Sequence, residues 1–507
     1  MEEKGPANPK TALQALTAAF ILATVHQYLF FGHKPGVSYP IFVALFYGFM
    51  LYYAKDRLRP PTWFSYVWLG AIFLLSMTFV LFSNWFFIAL NLLVLPALIL
   101  LHMTYMLSYR QPSWSRFSLI GAALEHFFAQ SLRHWPTVFA VIKQSSGRSI
   151  QGERKQVIIK VLIGLVFSFP LLLVVVSLLS SADGVFHQVL NQFPDLLERI
   201  SFDEGFARTL WSVLLGMGLF GYLWGFVAPR LNKAGLELKE GKAEGEGNVE
   251  PVSFTLDPVI ITTVLTMINI VYVLFVTVQF SYLFGAWDGI LPQDSTYADY
   301  ARSGFFELML VTAINFAILL LSLLALGKAK ARLQTFIRLL LYIMVLCSIV
   351  MLYSAYSRLA LYEEAYGYTQ IRFLVHAFMI FLGLLLVLAS VRISRAQFPL
   401  MKCYIVLGLL AYVIMNYIGM DRIIAGQNIA RYETSGKLDT HYLMELSWEA
   451  VPKLIAFSKQ ENGLLDQSLR EKRSEPSLDA QEWPSFNIST YRGQQALERY
   501  LGTQQTP

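Results

Sequence analysis

The chain has 507 residues, 55% hydrophobic and 15% charged, with a formal net charge of +6 and a mean hydropathy of +0.50. A soluble globular chain carries nearer ~25% charge, so an ordinary soluble domain is excluded. The basic residues sit between apolar blocks and form no stripe on a polar domain, which excludes a nucleic-acid partner and points to membrane topology and anionic lipid headgroups.

Apolar runs of roughly 18 to 24 residues are long enough to cross a bilayer. They place spans near 11–31, 38–54, 63–82, 86–107, 157–180, 206–229, 258–285, 304–327, 333–356, 373–391 and 403–420. The reading is an all-α polytopic bundle of about eleven helices, the form in which a chain satisfies its backbone inside lipid. LQALTAAFILATVHQYLFF has no small-residue cleavage site after it, so it reads as the first span and not as a signal peptide. The organisation predicted is a membrane region at 1–229 with about six spans, a flexible cytoplasmic linker at 230–257, a second membrane region at 258–420 with about five spans, and a helical tail at 421–507.

Loop charges set the orientation. One set of loops holds Lys55, Arg57 and Arg59, then the basic segment 108–156, then Lys328, Lys330 and Arg332, then Arg392, Arg395 and Lys402. The other set, before the tail, holds Lys34, Arg199, Arg302, Arg358 and Arg372. The N-terminus is therefore expected inside and the C-terminus outside.

Within 108–156, FSLIGAALEHFFAQSL has helical apolar spacing. It reads either as a helix on the inner membrane surface or as a loop helix packed on the bundle. LNKAGLELKEGKAEGEGNVEP, rich in Gly, Glu and Lys, reads as a linker. On the seventh span, Thr262, Thr266 and Asn269 form a polar stripe suited to hydrogen bonds between helices. His26 and His102 are single histidines of the kind a bundle satisfies internally. Cys347 and Cys403 both fall in predicted spans, so they suggest neither a disulfide framework nor a metal site. No cofactor is implied.

The polar residues of interest cluster toward one face. In YADYARSGFFEL, Tyr300, Ser303 and Glu307 share a helical stripe, with Arg302 beside them. In LYEEAYGYTQIRF, Tyr362, Glu363, Glu364, Arg372 and His376 flank a predicted corner, where Gly367 suits a left-handed helix end and Thr369 a helix cap. At the end of the last span stand Asn416 and Asp421. An ionisable group in a span costs ~2.5–3.5 kcal/mol unless it finds a partner or water. Arg302, Arg372 and His376 are the nearest partners for Glu307. Two readings stay open: a polar pocket facing outward, or an ion-pair network that fixes helix register. In the tail, DRIIAGQNIARY, LDTHYLMELSWEAVPKLIAFSK and YRGQQALERYL carry helical spacing. Asp439 and Ser447 are candidate caps, and REKRSEPSLDAQ reads as a loose linker.

YADYARSGFFEL, LYEEAYGYTQIR, IAGQNIARYETSGKLDTHYLMELSWEAVP and WPSFNISTYRGQQAL together resemble a bacterial family of multi-pass membrane proteins, domain of unknown function four-one-seven-three, over roughly residues 280–495. The resemblance implies a bacterial cell-membrane protein and carries no catalytic residue. The function expected first is a non-enzymatic binding or accessory protein, with an envelope ligand or partner protein and the membrane lipids as partners. A secondary transporter of a small solute comes second. An enzyme on a lipid-linked substrate comes third, since the chain has no Walker A, HExxH or GxSxG motif and its first predicted outer loop, GHKPGVS, lacks a carboxylate.

Overall fold

The computed structural model describes residues 9–109, 112–145, 204–229, 257–287, 305–325, 330–473 and 482–503. Its elements there are helices, and no strand occurs among the described residues. In chain order they are α1 (Pro9–Phe30), α2 (Ser38–Tyr53), α3 (Trp63–Leu81), α4 (Trp85–Leu107), α5 (Ser118–Leu124), α6 (Trp135–Ser145), α7 (Glu204–Val227), α8 (Pro258–Trp287), α9 (Phe305–Ala325), α10 (Ala331–Tyr366), α11 (Gln370–Ser394) and α12 (Leu400–Tyr417). The tail adds α13 (Met420–Ser435), α14 (Thr440–Glu445), α15 (Val451–Gln460), α16 (Asp466–Arg473) and α17 (Ile488–Thr503).

Eight described helices are long and apolar enough to cross a membrane: those containing Lys10–Phe30, Trp63–Leu81, Trp85–Leu107, Arg208–Val227, Pro258–Val278, Ala331–Tyr366, Gln370–Ser394 and Leu400–Tyr417. The sequence predicts about eleven. Two of the remaining three correspond to shorter apolar helices, Ser38–Tyr53 and Leu308–Leu323. The span predicted at 157–180 and most of the linker predicted at 230–257 lie outside the described residues.

The chain divides into two compact units, one made of Met1–Ser65 and Leu100–Asn232, the other of Tyr66–Ile99 and Lys233–Pro507. In the first unit, Ala12, Ala15, Ala19 and Ala23 are buried along one stripe of α1, and α1 packs lengthwise on α7. Small residues allow that close approach. His102 accepts or donates one hydrogen bond with the Tyr47 hydroxyl at 2.8 Å, the internal satisfaction expected of it.

In the second unit, α10 is the central helix of the apolar core. Met344, Met351, Ala355 and Leu359 of α10 bury against Leu265, Leu308, Met379, Leu386 and Ala389. Of the polar stripe on α8, only Asn269 reaches another helix, donating to the Leu340 carbonyl at 2.9 Å. Thr262 and Thr266 donate instead to carbonyls of their own helix, those of Pro258 and Thr262. Asn315 adds a second cross-helix bond, to the Ser348 hydroxyl at 3.0 Å. Such bonds resolve register among helices that are otherwise uniformly apolar.

The tail has its own core, in which Ile424, Ala425, Leu443, Val451, Leu454, Leu465, Leu469 and Leu497 are buried together. Asp439 caps α14, accepting from the Tyr442 amide. Ser447 does not cap α15, whose N-cap position is Ala450. Part of the predicted linker REKRSEPSLDAQ is ordered: Arg470–Arg473 end α16, and Lys472 is buried with its ammonium donating to the Met444 and Leu446 carbonyls.

The corner between α10 and α11 is tighter than predicted. Leu361–Tyr366 belong to the last turns of α10, leaving only Gly367, Tyr368 and Thr369 between the helices. Gly367 has φ 85° and ψ 169°, not the left-handed helical region but an extended one that is essentially glycine-only. Thr369 holds the N-cap position without a side-chain bond, and the Gln370 amide donates to the Tyr442 hydroxyl instead. A Cβ on Gly367 would also lie 2.8 Å from Asn428 Oδ1. Gly367→Ala should therefore lower stability by ~1–3 kcal/mol, read as a fall in the thermal midpoint of the purified protein. An unchanged midpoint would mean the corner relaxes freely.

Candidate functional site

A polar group of the second unit that joins several segments is Asp421, in the first turn of α13 and only 1% exposed. A carboxylate there meets the unpaired amides and positive end of its own helix. It also accepts from three other segments. Asn84 Nδ2, in the α3–α4 loop, donates to Oδ2 at 2.8 Å. The Ser447 amide donates to Oδ2 at 3.0 Å. Gln370 Nε2, at the start of α11, donates to Oδ1 at 2.8 Å.

Asn84 is itself a helix cap, its Oδ1 accepting from the Phe87 amide at 3.2 Å. One amide side chain thus starts α4 and donates to Asp421. The Glu449 carboxylate accepts from the Ser83 amide at 2.9 Å, one residue before that cap. Trp448 donates its amide to the Ser83 hydroxyl. Asn487, the residue before α17, donates to the Phe79 and Phe82 carbonyls at 2.9 and 2.7 Å, satisfying the end of α3. The short α3–α4 loop is held on both sides by the tail.

A second polar set lies deeper along α4. Asn91, fully buried, donates to Thr78 Oγ1 at 3.0 Å and Asn416 Oδ1 at 2.7 Å, and accepts from the Tyr412 hydroxyl at 2.6 Å. Asn91 is the seventh residue of α4, so it stands about 9 Å along a helix about 34 Å long. Between the two sets runs a narrow cleft lined by Thr78, Asn84, Asn416, Gly419 and Glu449 among others. It has space for about one water molecule.

The predicted site residues divide between this knot and the neighbouring corner. Asn416 and Asp421 belong to the knot. Glu363, 3% exposed, pairs with His376 Nδ1 at 3.2 Å across the α10–α11 corner. Arg372 donates to the Gly367 carbonyl and lies over the Tyr362 ring at 4.3 Å. The Glu364 side chain is exposed, and its carbonyl accepts from Arg431 Nε at 2.8 Å. Tyr300 and Arg302 lie outside the described residues, as does the side chain of Glu307. The carboxylate paired with His376 is thus Glu363, a partner the helical spacing around Glu307 does not single out.

Sequence reasoning misses Asn84, Asn91, Gln370, Tyr412, Glu449 and Asn487. The signal for Asn84 was present: an Asn between two apolar runs, followed by WFF, is a helix start. Nothing local marks Glu449, whose role comes from an α3–α4 loop far away in sequence.

These features define a protein whose described elements are helices, eight of them apolar and long enough to cross a membrane, with a helical tail tied to the α3–α4 loop and the start of α11 by polar groups. The family model of the domain of unknown function DUF4153 matches residues 69–457, and the chain belongs to that family. The number differs from the resemblance read in the sequence, four-one-seven-three. The match also begins far earlier than residue 280 and stops before WPSFNISTYRGQQAL. No curated protein and no solved structure matches the chain.

Glu449 carries the electrostatic consequence. Burial pushes its carboxyl up to about 7 from an ordinary 4.5, against the hydrogen bonds from the Ser83 and Asn84 amides, with repulsion from Asp421 adding to the rise. A carboxyl raised in the folded state binds its proton more tightly there than in the unfolded chain. Its stabilising contribution is full below pH 4.5 and is lost as pH rises through about 7. The wild-type midpoint should therefore fall between pH 5 and 8 more than that of Glu449→Gln, by the equivalent of ~1–3 kcal/mol. Parallel pH profiles for the two proteins would refute the raised proton affinity of Glu449. At the corner, a double-mutant cycle of Glu363→Gln with His376→Gln should show coupling of ~0.5–3 kcal/mol, with additivity indicating that the pair carries no energy.

Proposed function

We propose that the protein is a non-enzymatic integral protein of the bacterial cell membrane, N-terminus inside and C-terminus outside. Its tail is a binding platform on the outer face for an envelope ligand or partner protein. The observation that supports this best is the convergence on Asp421 of donors from the α3–α4 loop, the start of α11 and the turn before α15. A tail with its own core and a buried joint to the span ends is built to be held in a fixed place. The loop charges supply the orientation. The membrane lipids are the remaining partner.

A second reading, a secondary transporter of a small solute, draws on the buried set of Asn91, Asn416 and Tyr412 within the apolar helices. A pathway needs polar groups reaching the midplane. This set stands about a quarter of the way along α4, by the rise of 1.5 Å per residue, and its amides and hydroxyl are engaged with one another. The platform is therefore preferred. An enzyme acting on a lipid-linked substrate has the least support: Asp421 is engaged by three donors, and the cleft beside Glu449 holds about one water.

Two measurements test the platform. Gln467 is exposed on α16, so a membrane-impermeant maleimide should label Gln467→Cys in intact cells; labelling only after permeabilisation would reverse the orientation. Asp421→Ala strands the Asn84 and Gln370 amides and should make the tail markedly more sensitive to added protease while membrane insertion stays normal. A tail equally resistant in that variant would remove Asp421 as the joint. Proton flux in proteoliposomes that Asn91→Ala abolishes would favour the transporter.

A further inference from the structure

The segment 117–132 presents one face to a helix and the opposite face to none of the described residues of the first unit. It runs through α5, one π turn at Glu125–Gln130 and a last short turn at Ser131–Arg133. Its inner face is buried against α7. His126 Nε2 bonds the Tyr222 carbonyl at 2.9 Å, and Ser131 Oγ donates to the Gly218 carbonyl at 3.3 Å. His126 also stacks on Phe226, ring centroids 3.5 Å apart. The approach is close enough that a Cβ on Gly221 would fall 2.5 Å from the Ser131 carbonyl oxygen.

The outer face carries Phe117, Ile120, Leu124, Phe127, Phe128 and Leu132, each between 43% and 78% exposed. Glu125 is the one charged residue among the exposed positions from Phe117 to Leu132. In water such a stripe would be a costly surface for a monomeric protein. Its level in the fold says what covers it. The carbonyls it bonds, those of Gly218 and Tyr222, lie inside Arg208–Val227, a helix apolar and long enough to cross the membrane. From Gly218 to Val227 is nine residues, about 13.5 Å of helix axis. The segment therefore flanks the last half of a span and not the water beyond it.

We infer that residues 117–132 form a membrane-embedded helical segment alongside α7 whose outer stripe lies in the acyl chains, rather than a loop helix in the aqueous phase. This rests on the reading of α7 as a span. Its occupant is lipid: the exposed face is apolar save for Glu125 and stands at the level of an apolar helix long enough to cross the membrane. FSLIGAALEHFFAQSL then packs on the bundle with one face and meets lipid with the other.

The test uses the full chain, with Cys347 and Cys403 replaced by alanine, reconstituted in vesicles of phosphatidylcholine and phosphatidylglycerol. Nitroxides are placed at Ile120→Cys, Phe128→Cys and, in the exposed loop after α2, Asp56→Cys. Power-saturation EPR should show the ratio of oxygen to nickel-chelate accessibility several-fold higher at 120 and 128 than at 56. A ratio equal to that at 56 would place the helix in water and overturn the inference. Low accessibility to both reagents at 120 and 128 would mean that protein, a second copy or a partner, covers the stripe, which also overturns it. A label at Trp211→Cys, exposed on α7, reports separately on the span; if that site too is nickel-accessible, the reading of α7 fails first. In the unaltered protein, an apolar carbene probe dissolved in the bilayer should label the peptide spanning residues 117–132. Absence of label there, with α7 labelled, would overturn the inference without any substitution.

Discussion

A buried carboxyl must be surrounded by donors, and at Asp421 those donors come from three parts of the chain. A single group therefore fixes where the α3–α4 loop, the start of α11 and the turn before α15 stand relative to one another. Apolar packing alone could not do this. Leucine-rich helix surfaces slide past one another at little cost in lipid, whereas a buried amide left without its acceptor costs ~1–3 kcal/mol. The same logic repeats at lower intensity at Asn269 and Asn315, each a single amide bonded to a neighbouring helix.

The ends of α3 and α4 show how helix termini become joints. The last carbonyls of α3 need donors and the first amides of α4 need acceptors. Asn84 supplies one acceptor locally. From the tail, Asn487 donates to the Phe79 and Phe82 carbonyls at the end of α3, and Glu449 accepts from the Ser83 amide of the loop. The tail is thereby joined to the termini of two apolar helices through bonds those termini require, and Glu449 is held in a desolvated place where its proton affinity rises. Docking and the raised proton affinity of Glu449 both come from the packing of the tail against the α3–α4 loop.

The corner at Gly367 is the complementary case. Its backbone conformation is open only to glycine, and the space beside it is filled by Asn428, whose amide group bonds both the Tyr368 amide and the Tyr368 carbonyl. Arg431 adds bonds to the Glu364 and Ala365 carbonyls. The corner LYEEAYGYTQIRF thus receives α13 through its backbone groups and through the Gln370 side chain.

Much of the architecture was legible in the sequence, because its physical cause is local. Hydrophobic blocks of bilayer length, Gly367 at the corner, Asp439 as a cap and the helical periodicity of the tail follow from residues within a few positions of one another. The number of long apolar helices was less legible: the run at 38–54 forms a helix of only 16 residues, and the helix at 333–356 continues to Tyr366 because Leu361–Glu364 are compatible with helix whatever their polarity. Tertiary structure alone decided the partners. Glu363 for His376, Asn84 and Gln370 for Asp421, and Ser83 for Glu449 join positions as much as 366 residues apart. A hydrogen bond depends on where two helix ends arrive after the apolar faces have packed, and no spacing within one segment encodes that arrival.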